Sequence, residues 1–230
     1  MKIDVIILAG GLGTRLASVV SDVPKPMAPV AGEPFLEQIL KKLPTEHIAQ
    51  IILAVGYKYE KIKEHYGSAY NGVPLVYSIE EEPLGTGGGI GLALQKTNAE
   101  HTLILNGDTF FDVNLEELIQ VHNNEKALLT LALKQVESPD RYGTVLLEGR
   151  TIVRFQEKQV GLATGLINGG VYLAGRELIT QLPEAEKYSF ETEVLEAKVG
   201  TGSIKGYISQ GLFIDIGIPT DYERAQTIFA

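Results

Sequence analysis

Val5, Ile6, Ile7 and Leu8 form a continuous apolar run that is interrupted at once by Gly10, Gly11 and Gly13. A short run rich in β-branched residues, with no polar alternation, reads as a strand buried on both faces, as inner strands of parallel sheets are. Such a strand needs helices above and below it, so the chain is expected to be α/β. Glycines at its carboxyl end permit positive φ and let an anionic group approach the amides without a Cβ in the way. Arg15 and Lys25 then follow as cations suited to phosphate oxygens. Pro24 and Pro26 disfavour helix around Lys25 and stiffen its backbone, which suits an aimed charge. The plainer alternative is a turn, because glycine clusters also punctuate ordinary loops.

The commoner phosphate loops do not match. Counted from Gly11, the sixth position of a dinucleotide fingerprint is Leu16, and no Gly-x-x-x-x-Gly-Lys-Ser/Thr occurs anywhere. What remains is a rarer pattern, Gly-Gly-x-Gly-Thr-Arg at 10–15.

Beyond this loop, apolar strands alternate with amphipathic helices. A helix is expected at 34–43, from apolar residues at Phe35, Leu36, Ile39, Leu40 and Leu43, with Pro34 as its first residue. A strand at 51–55, a helix at 57–66 ended by Gly67, and a strand at 75–79 follow. The next helix, 86–94, opens on Thr86 as a cap and on Gly87, Gly88 and Gly89. Glycines there are poor helix formers, so either a nucleobase is read by exposed backbone or the helix packs closely on the sheet. The strand 103–105 delivers Asn106-Gly107-Asp108 to the sheet edge, and Asn114 with Glu117 resembles a capping box. Past residue 125, strands are expected at 128–133, 144–147, 152–155, 204–208 and 212–214. Helices are expected at 172–182 and 189–197, with a last one opened by Thr220 and Glu223 as a capping box. The expected architecture is one domain over 1–230, a three-layer, mostly parallel mixed sheet with helices on both faces. Residues 1–125 and 126–230 would form its two halves, with function at the carboxyl edge of the strands.

With 230 residues, 44% of them hydrophobic, the chain can bury one sizeable core. It has no cysteine, which removes disulfides and thiolate chemistry and is compatible with a cytoplasmic location. His47, His65, His101 and His122 lack the spacing of a metal pair. Neither a signal peptide nor a membrane-spanning stretch is expected. A net charge of −9, from 20 basic against 29 acidic residues, disfavours nucleic acid and anionic membranes as partners. An acidic chain that handles polyphosphate must gather its cations locally or recruit Mg²⁺.

The loop at 8–16 together with Pro24-Lys25-Pro26-Met27 resembles the signature of the sugar-1-phosphate nucleotidyltransferases. The resemblance runs through nearly the whole chain: the segments 82–88, 106–108, 141–145, 155–158, 166–170 and 213–217 fall in the family's order. It implies a Rossmann-like, nucleotide-diphospho-sugar transferase (GT-A-like) fold. It also implies transfer of a nucleotidyl group from a nucleoside triphosphate to a sugar 1-phosphate, with release of pyrophosphate. The segments 24–29, 82–88, 141–145 and 166–170 resemble guanylyl-transferring members that act on a manno-configured heptose 1-phosphate, which implies GTP. A mannose or glucose 1-phosphate, another base, or a nucleotide-sugar-binding regulatory subunit stand as alternatives, and a homo-oligomer stays open.

In that reaction an already anionic phosphate oxygen attacks, so no general base is needed. The protein neutralises charge and aligns two substrates, a task suited to a hard cation held by carboxylates. Asp108 and Asp215 are the expected Mg²⁺ ligands, since both follow apolar runs and both have a glycine within two residues; turn capping is the alternative for each. The resemblance implies that Arg15 and Lys25 clamp the triphosphate. It places Leu8, Ala9, Gly10, Gly11, Gly13, Thr14, Gly85, Thr86, Gly87 and Asn106 on the nucleotide side. Glu80 could accept guanine's ring donors, or it belongs to a solvated edge with Glu81 and Glu82. Lys158 resembles the family lysine that binds the sugar phosphate and Glu157 the glutamate that accepts sugar hydroxyls, a solvated ion pair being the alternative. Tyr142, Gly143, Asn168 and Gly169 look like further sugar contacts, with Arg141 shaping the same region. Two departures stand out: Gly217 is followed by Ile218-Pro219 where threonine is frequent, and 85–88 lacks the glutamine of thymidylyl-transferring relatives. The longer C-terminal modules of some relatives are not expected.

Overall fold

The computed structural model describes residues 2–11, 16, 19–20 and 22–230. In chain order, β1 (Ile3–Leu8) is followed by a tight turn at Lys25–Met27, and β2 (Pro29–Val30) pairs with β3 (Glu33–Pro34). Then come α1 (Phe35–Leu40), β4 (Ile48–Val55), α2 (Tyr59–Tyr66), β5 (Ala69–Tyr70), β6 (Val73–Ile79) and α3 (Gly85–Leu94). β7 (His101–Asn106), β8 (Thr109–Phe111) and α4 (Leu115–Asn124) close the first half. The second half holds β9 (Leu129–Glu137), β10 (Thr144–Glu148), β11 (Thr151–Gln156), β12 (Thr164–Gly175), β13 (Ile204–Ser209), β14 (Phe213–Asp215) and α5 (Pro219–Ile228).

A ten-stranded sheet runs through both halves in the order β10-β11-β13-β9-β12-β7-β1-β4-β6-β5. β1 is parallel to β4 and β7, with Val5 beside Ile51 and Leu103 and Ile7 beside Leu53 and Leu105. The expected two-sided burial of β1 is literal. Val5 and Ile7 join a core with Phe35, Leu36, Ile62, Leu118 and Tyr222, whereas Ile6 joins another with Ile90, Leu94, Phe190 and Val194. Alternate side chains of a strand point to opposite faces, so the sheet separates two cores. One is roofed by α1, α2, α4 and α5, the other by α3 and the turns at 176–198. Truncating a fully buried residue such as Ile6 to alanine would cost ~2–5 kcal/mol.

Several local expectations are corrected. The helix expected at 172–182 is instead the end of β12 followed by a 3₁₀ segment at Arg176–Gln181. Val171 to Ala174 is buried between β7 and β9, and a continuous apolar stretch of that length has no period to separate helix from strand. The segment 189–197 is helical but irregular, a π-type turn at Glu191–Leu195 and a 3₁₀ turn at Glu196–Lys198. No capping box opens α5: Ile218 occupies the cap position without a side-chain bond, and Pro219 takes the first turn, where a missing N–H costs nothing. Pro34 precedes α1 in extended conformation (ψ 141°). At α4 the expected cap is present, with the Asn114 side chain accepting from the Glu117 amide at 3.2 Å.

Candidate active site

The parallel strands β7, β1, β4 and β6 end on one edge, and the loops leaving them meet there. The Gly107 amide donates to the Leu8 carbonyl at 2.9 Å, and a Cβ on Gly107 would lie 2.4 Å from that oxygen. Only glycine allows this approach, which brings Asp108 beside the loop after β1. Lys25 Nζ donates to Asp108 Oδ2 at 2.6 Å, and the Thr109 hydroxyl donates to Oδ1 at 3.2 Å. Lys25 is nearly buried, its side chain only 10% exposed, while Asp108 at 39% opens to solvent. The stiff turn that begins at Pro24 therefore aims the lysine inward, as its sequence context predicts.

Asp215 reaches the same place by strand pairing. β14 runs antiparallel to β8, so Asp215 lies opposite Thr109, and the Ile216 amide donates to the Asp108 carbonyl at 3.0 Å. Burial is the main cause that raises the Asp215 pKa, and the Asp108 charge raises it further. Lys25, the Gly217 amide at 2.5 Å and Arg141 pull the other way. The two carboxylates thus share one centre, where the Asp108 charge works against ionisation of Asp215. Among the described residues no cluster of three or more His, Cys, Asp or Glu has metal-holding geometry, so the pair would supply part of a cation's oxygen shell.

A cavity of about 660 Å³ lies at the ends of β1, β4 and β6, lined by Gly10, Gly56, Tyr57, Lys58 and Glu80. Glu80 belongs to this wall rather than to a freely solvated edge. Its Oε2 accepts from the Leu84 amide at 3.1 Å, and Cβ atoms on Gly10 and Gly89 would lie 3.0 and 2.6 Å from its Oε1. Burial raises its pKa, against the lowering effect of the Leu84 amide. Nothing among the described residues lies within 4 Å of a Cβ placed on Gly11. Gly13, Thr14 and Arg15 lie outside the described residues. Asn106 packs against Gly170, whose φ is +71°.

The glycines of α3 serve close packing. Cβ atoms on Gly85, Gly87 and Gly88 would lie 2.6, 2.2 and 2.1 Å from atoms of the 186–188 segment, and the Gly87 amide donates to the Tyr188 carbonyl at 3.0 Å. Nor does Thr86 cap this helix, whose cap position is Leu84. Its hydroxyl accepts from the Phe190 amide at 2.9 Å and donates to Glu191 Oε2 at 2.6 Å.

Four of the residues expected on the sugar side, Tyr142, Gly143, Glu157 and Asn168, line one cavity of about 240 Å³ together with Glu191 and Glu196. Asn168 donates to the Tyr172 hydroxyl at 2.9 Å and accepts from the Gly170 amide at 3.0 Å, so it is a fixed part of the wall. Gly169 is not in that wall; it packs under Phe111, 2.3 Å from where its Cβ would be. Glu157 and Lys158 are both exposed and form no ion pair with each other. Arg141 pairs with Asp221 at 2.6 Å and lies 5.5 Å from the Tyr142 ring centre. Burial and then the Asp215 charge raise the Tyr142 pKa, which ties this cavity to the aspartate centre. Tyr57, Glu191 and Glu196 were not singled out by the sequence. Tyr57 lies two residues past the end of β4, at the edge where the parallel strands end, a usable signal, whereas the two glutamates occupy an irregular turn that carries none.

Strand-edge loops that bring Lys25 and paired aspartates together on a largely parallel sheet suit the handling of phosphorylated substrates. The chain belongs to the nucleotidyl transferase family, whose model matches residues 4–230. It is 48% identical to the D-glycero-α-D-manno-heptose 1-phosphate guanylyltransferase of Aneurinibacillus thermoaerophilus, over 97% of this chain and 96% of that protein. It is 46% identical to the Campylobacter jejuni protein of the same name, over 94% of this chain and 96% of that one. Among solved structures, HddC from Yersinia pseudotuberculosis complexed with GMP-PN superposes with a TM-score of 0.86 at 36% identity, covering 99% of this chain and 100% of that one. No helix among the described residues is long and apolar enough to cross a membrane.

Proposed function

We propose that the chain transfers a guanylyl group from GTP to D-glycero-α-D-manno-heptose 1-phosphate and releases pyrophosphate. The observation that carries this reading is the convergence of Asp108, Asp215 and Lys25 at one centre. Near-full-length similarity to two heptose 1-phosphate guanylyltransferases supports the choice of substrates. In the reaction a phosphate oxygen of the sugar 1-phosphate attacks the α-phosphorus of GTP. A new P–O bond forms, and the bond to the β-phosphate breaks with its electrons on the departing pyrophosphate.

Lys25 neutralises charge near the α-phosphate, and Arg15 grips the remaining phosphates. Asp108 and Asp215 would hold Mg²⁺; their oxygen-only donor set and mutual repulsion suit a hard divalent cation whose other ligands are phosphate oxygens and water. That ion would offset negative charge on the triphosphate as the oxygen approaches. Gly10 and Gly11 leave room for the nucleotide at the end of β1, and Glu80, an acceptor-only group when ionised, suits guanine's ring N–H and amino donors. Lys158 meets the sugar phosphate, and Glu157 the sugar hydroxyls. A pyrophosphate-release panel crossing four nucleoside triphosphates with heptose, mannose and glucose 1-phosphates should peak at GTP with the heptose. A peak at dTTP with glucose 1-phosphate would overturn the substrate assignment.

A further inference from the structure

The wall of the sugar-side cavity contains no lysine or arginine among the described residues, yet it carries three carboxylates, Glu157, Glu191 and Glu196. Such a surface suits a ligand part that is uncharged and rich in hydrogen-bond donors, as a polyhydroxylated ring is. The three are not equivalent. The carboxylates of Glu157 and Glu196 are exposed and take no hydrogen bond from the described residues, so each would have to be ordered by the ligand.

Glu191 is already in place. It is half-buried, and its Oε2 accepts from the Thr86 hydroxyl at 2.6 Å and the Ser189 hydroxyl at 3.0 Å. Thr86 is fixed in turn by the Phe190 amide at 2.9 Å, and the Tyr188 amide donates to the Leu84 carbonyl at 3.1 Å. Both bonds on Glu191 fall on one oxygen, and Oε1 takes none from the described residues. Its charge reaches Tyr172, the partner of Asn168 in the same wall, and adds to the burial that raises the tyrosine's pKa. A carboxylate locked through one oxygen and open at the other is preorganised to receive a donor, so little side-chain entropy remains to be lost on binding.

Resting on the transferase reading above, we infer that Glu191 is a sugar-binding residue. Its free oxygen accepts one hydroxyl of the acceptor sugar, and Thr86 holds the carboxylate at the angle that keeps the sugar phosphate in line with the nucleotide. Through Thr86 this contact is anchored on α3, so the sugar subsite is completed by the nucleotide half of the chain.

The test measures Michaelis constants for GTP and for heptose and mannose 1-phosphates in wild type, Glu191→Gln and Thr86→Val, then repeats the series with monodeoxy mannose 1-phosphates. Glu191→Gln keeps the side-chain volume but offers a donor where an acceptor is needed. It should raise the sugar-phosphate constant about tenfold or more, as expected when one hydrogen bond to a charged group is lost, with the GTP constant nearly unchanged. Thr86→Val should raise the same constant by less. One deoxy sugar should weaken wild type about as much as the substitution does and cost Glu191→Gln nothing further, a hydroxyl-specific coupling that a merely structural residue would not produce. Equal rises in both constants, or an unchanged dependence on every hydroxyl in Glu191→Gln, would overturn the assignment. The transferase reading is judged separately, by whether wild type turns over any sugar 1-phosphate with a nucleoside triphosphate.

Discussion

In the first half of the chain, β7, β1, β4 and β6 run parallel and end together; in the second, β9, β12, β10 and β11 meet their neighbours mainly antiparallel. The difference governs how each half makes a site. Parallel strands deliver every following loop to one edge, so Gly10, Tyr57, Glu80 and Asp108 each come just after an apolar strand and gather without long-range pairing of their own. Antiparallel strands offer a face instead. The sugar-side wall draws Thr144 and Gln156 from facing strands, Asn168 from a third and Glu191 from an irregular turn. Residues of the first site are therefore ordered in sequence, and those of the second only in space.

Asp108→Asn should break this division most severely, because the proposed catalytic centre draws one carboxylate from each half. Turnover should fall about a thousandfold or more, in the range lost when a preorganised electrostatic group is removed, with the thermal melt nearly unchanged. Undiminished turnover would remove Asp108 from the centre.

A pair of glycine substitutions separates ligand approach from packing. Gly88→Ala should destabilise by ~1–3 kcal/mol or more in a denaturant titration, since its Cβ would sit 2.1 Å from the Glu186 carbonyl oxygen. Gly11→Ala meets none of the described residues within 4 Å; it should leave the melt unchanged and raise the Michaelis constant for GTP. A stability loss at Gly11 with normal kinetics would reverse the interpretation of that loop.

The smallest effect concerns Asp215, whose pKa is raised chiefly by burial and next by Asp108. A carboxylate with a raised folded pKa contributes stability that is fully present below its unfolded value near 3.8 and is lost as pH rises through the folded value. Asp215→Asn removes that loss. It should raise the melting temperature slightly at neutral pH and flatten its decline above about pH 4. A lower melting temperature at pH 7 would show that Asp215 is stabilised, not strained, by its surroundings.

The strands β1, β4, β6 and β7, the capped α4 and the aimed Lys25 were legible because each rests on short-range physics: apolar runs, a capping side chain, a proline-stiffened backbone. Where that physics is ambiguous, the reading failed. Val171 to Ala174 is apolar without a period, and only its position between β7 and β9 makes it strand. Thr86 has a capping residue's chemistry, yet its hydroxyl is taken by Phe190 and Glu191 from the other half.

The amino-acid order alone determined the buried strand, the glycine break after it and the two aspartates that follow apolar runs close to glycines, because each depends on neighbours within a few residues. Tertiary structure alone decided that Asp215 meets Asp108 through the pairing of β14 with β8, that the α3 glycines admit the 186–188 segment, and that Glu191 faces the sugar-side cavity. These contacts join residues far apart in the chain. Their energies come from cross-strand hydrogen bonds and close packing, which exist only once the sheet has closed.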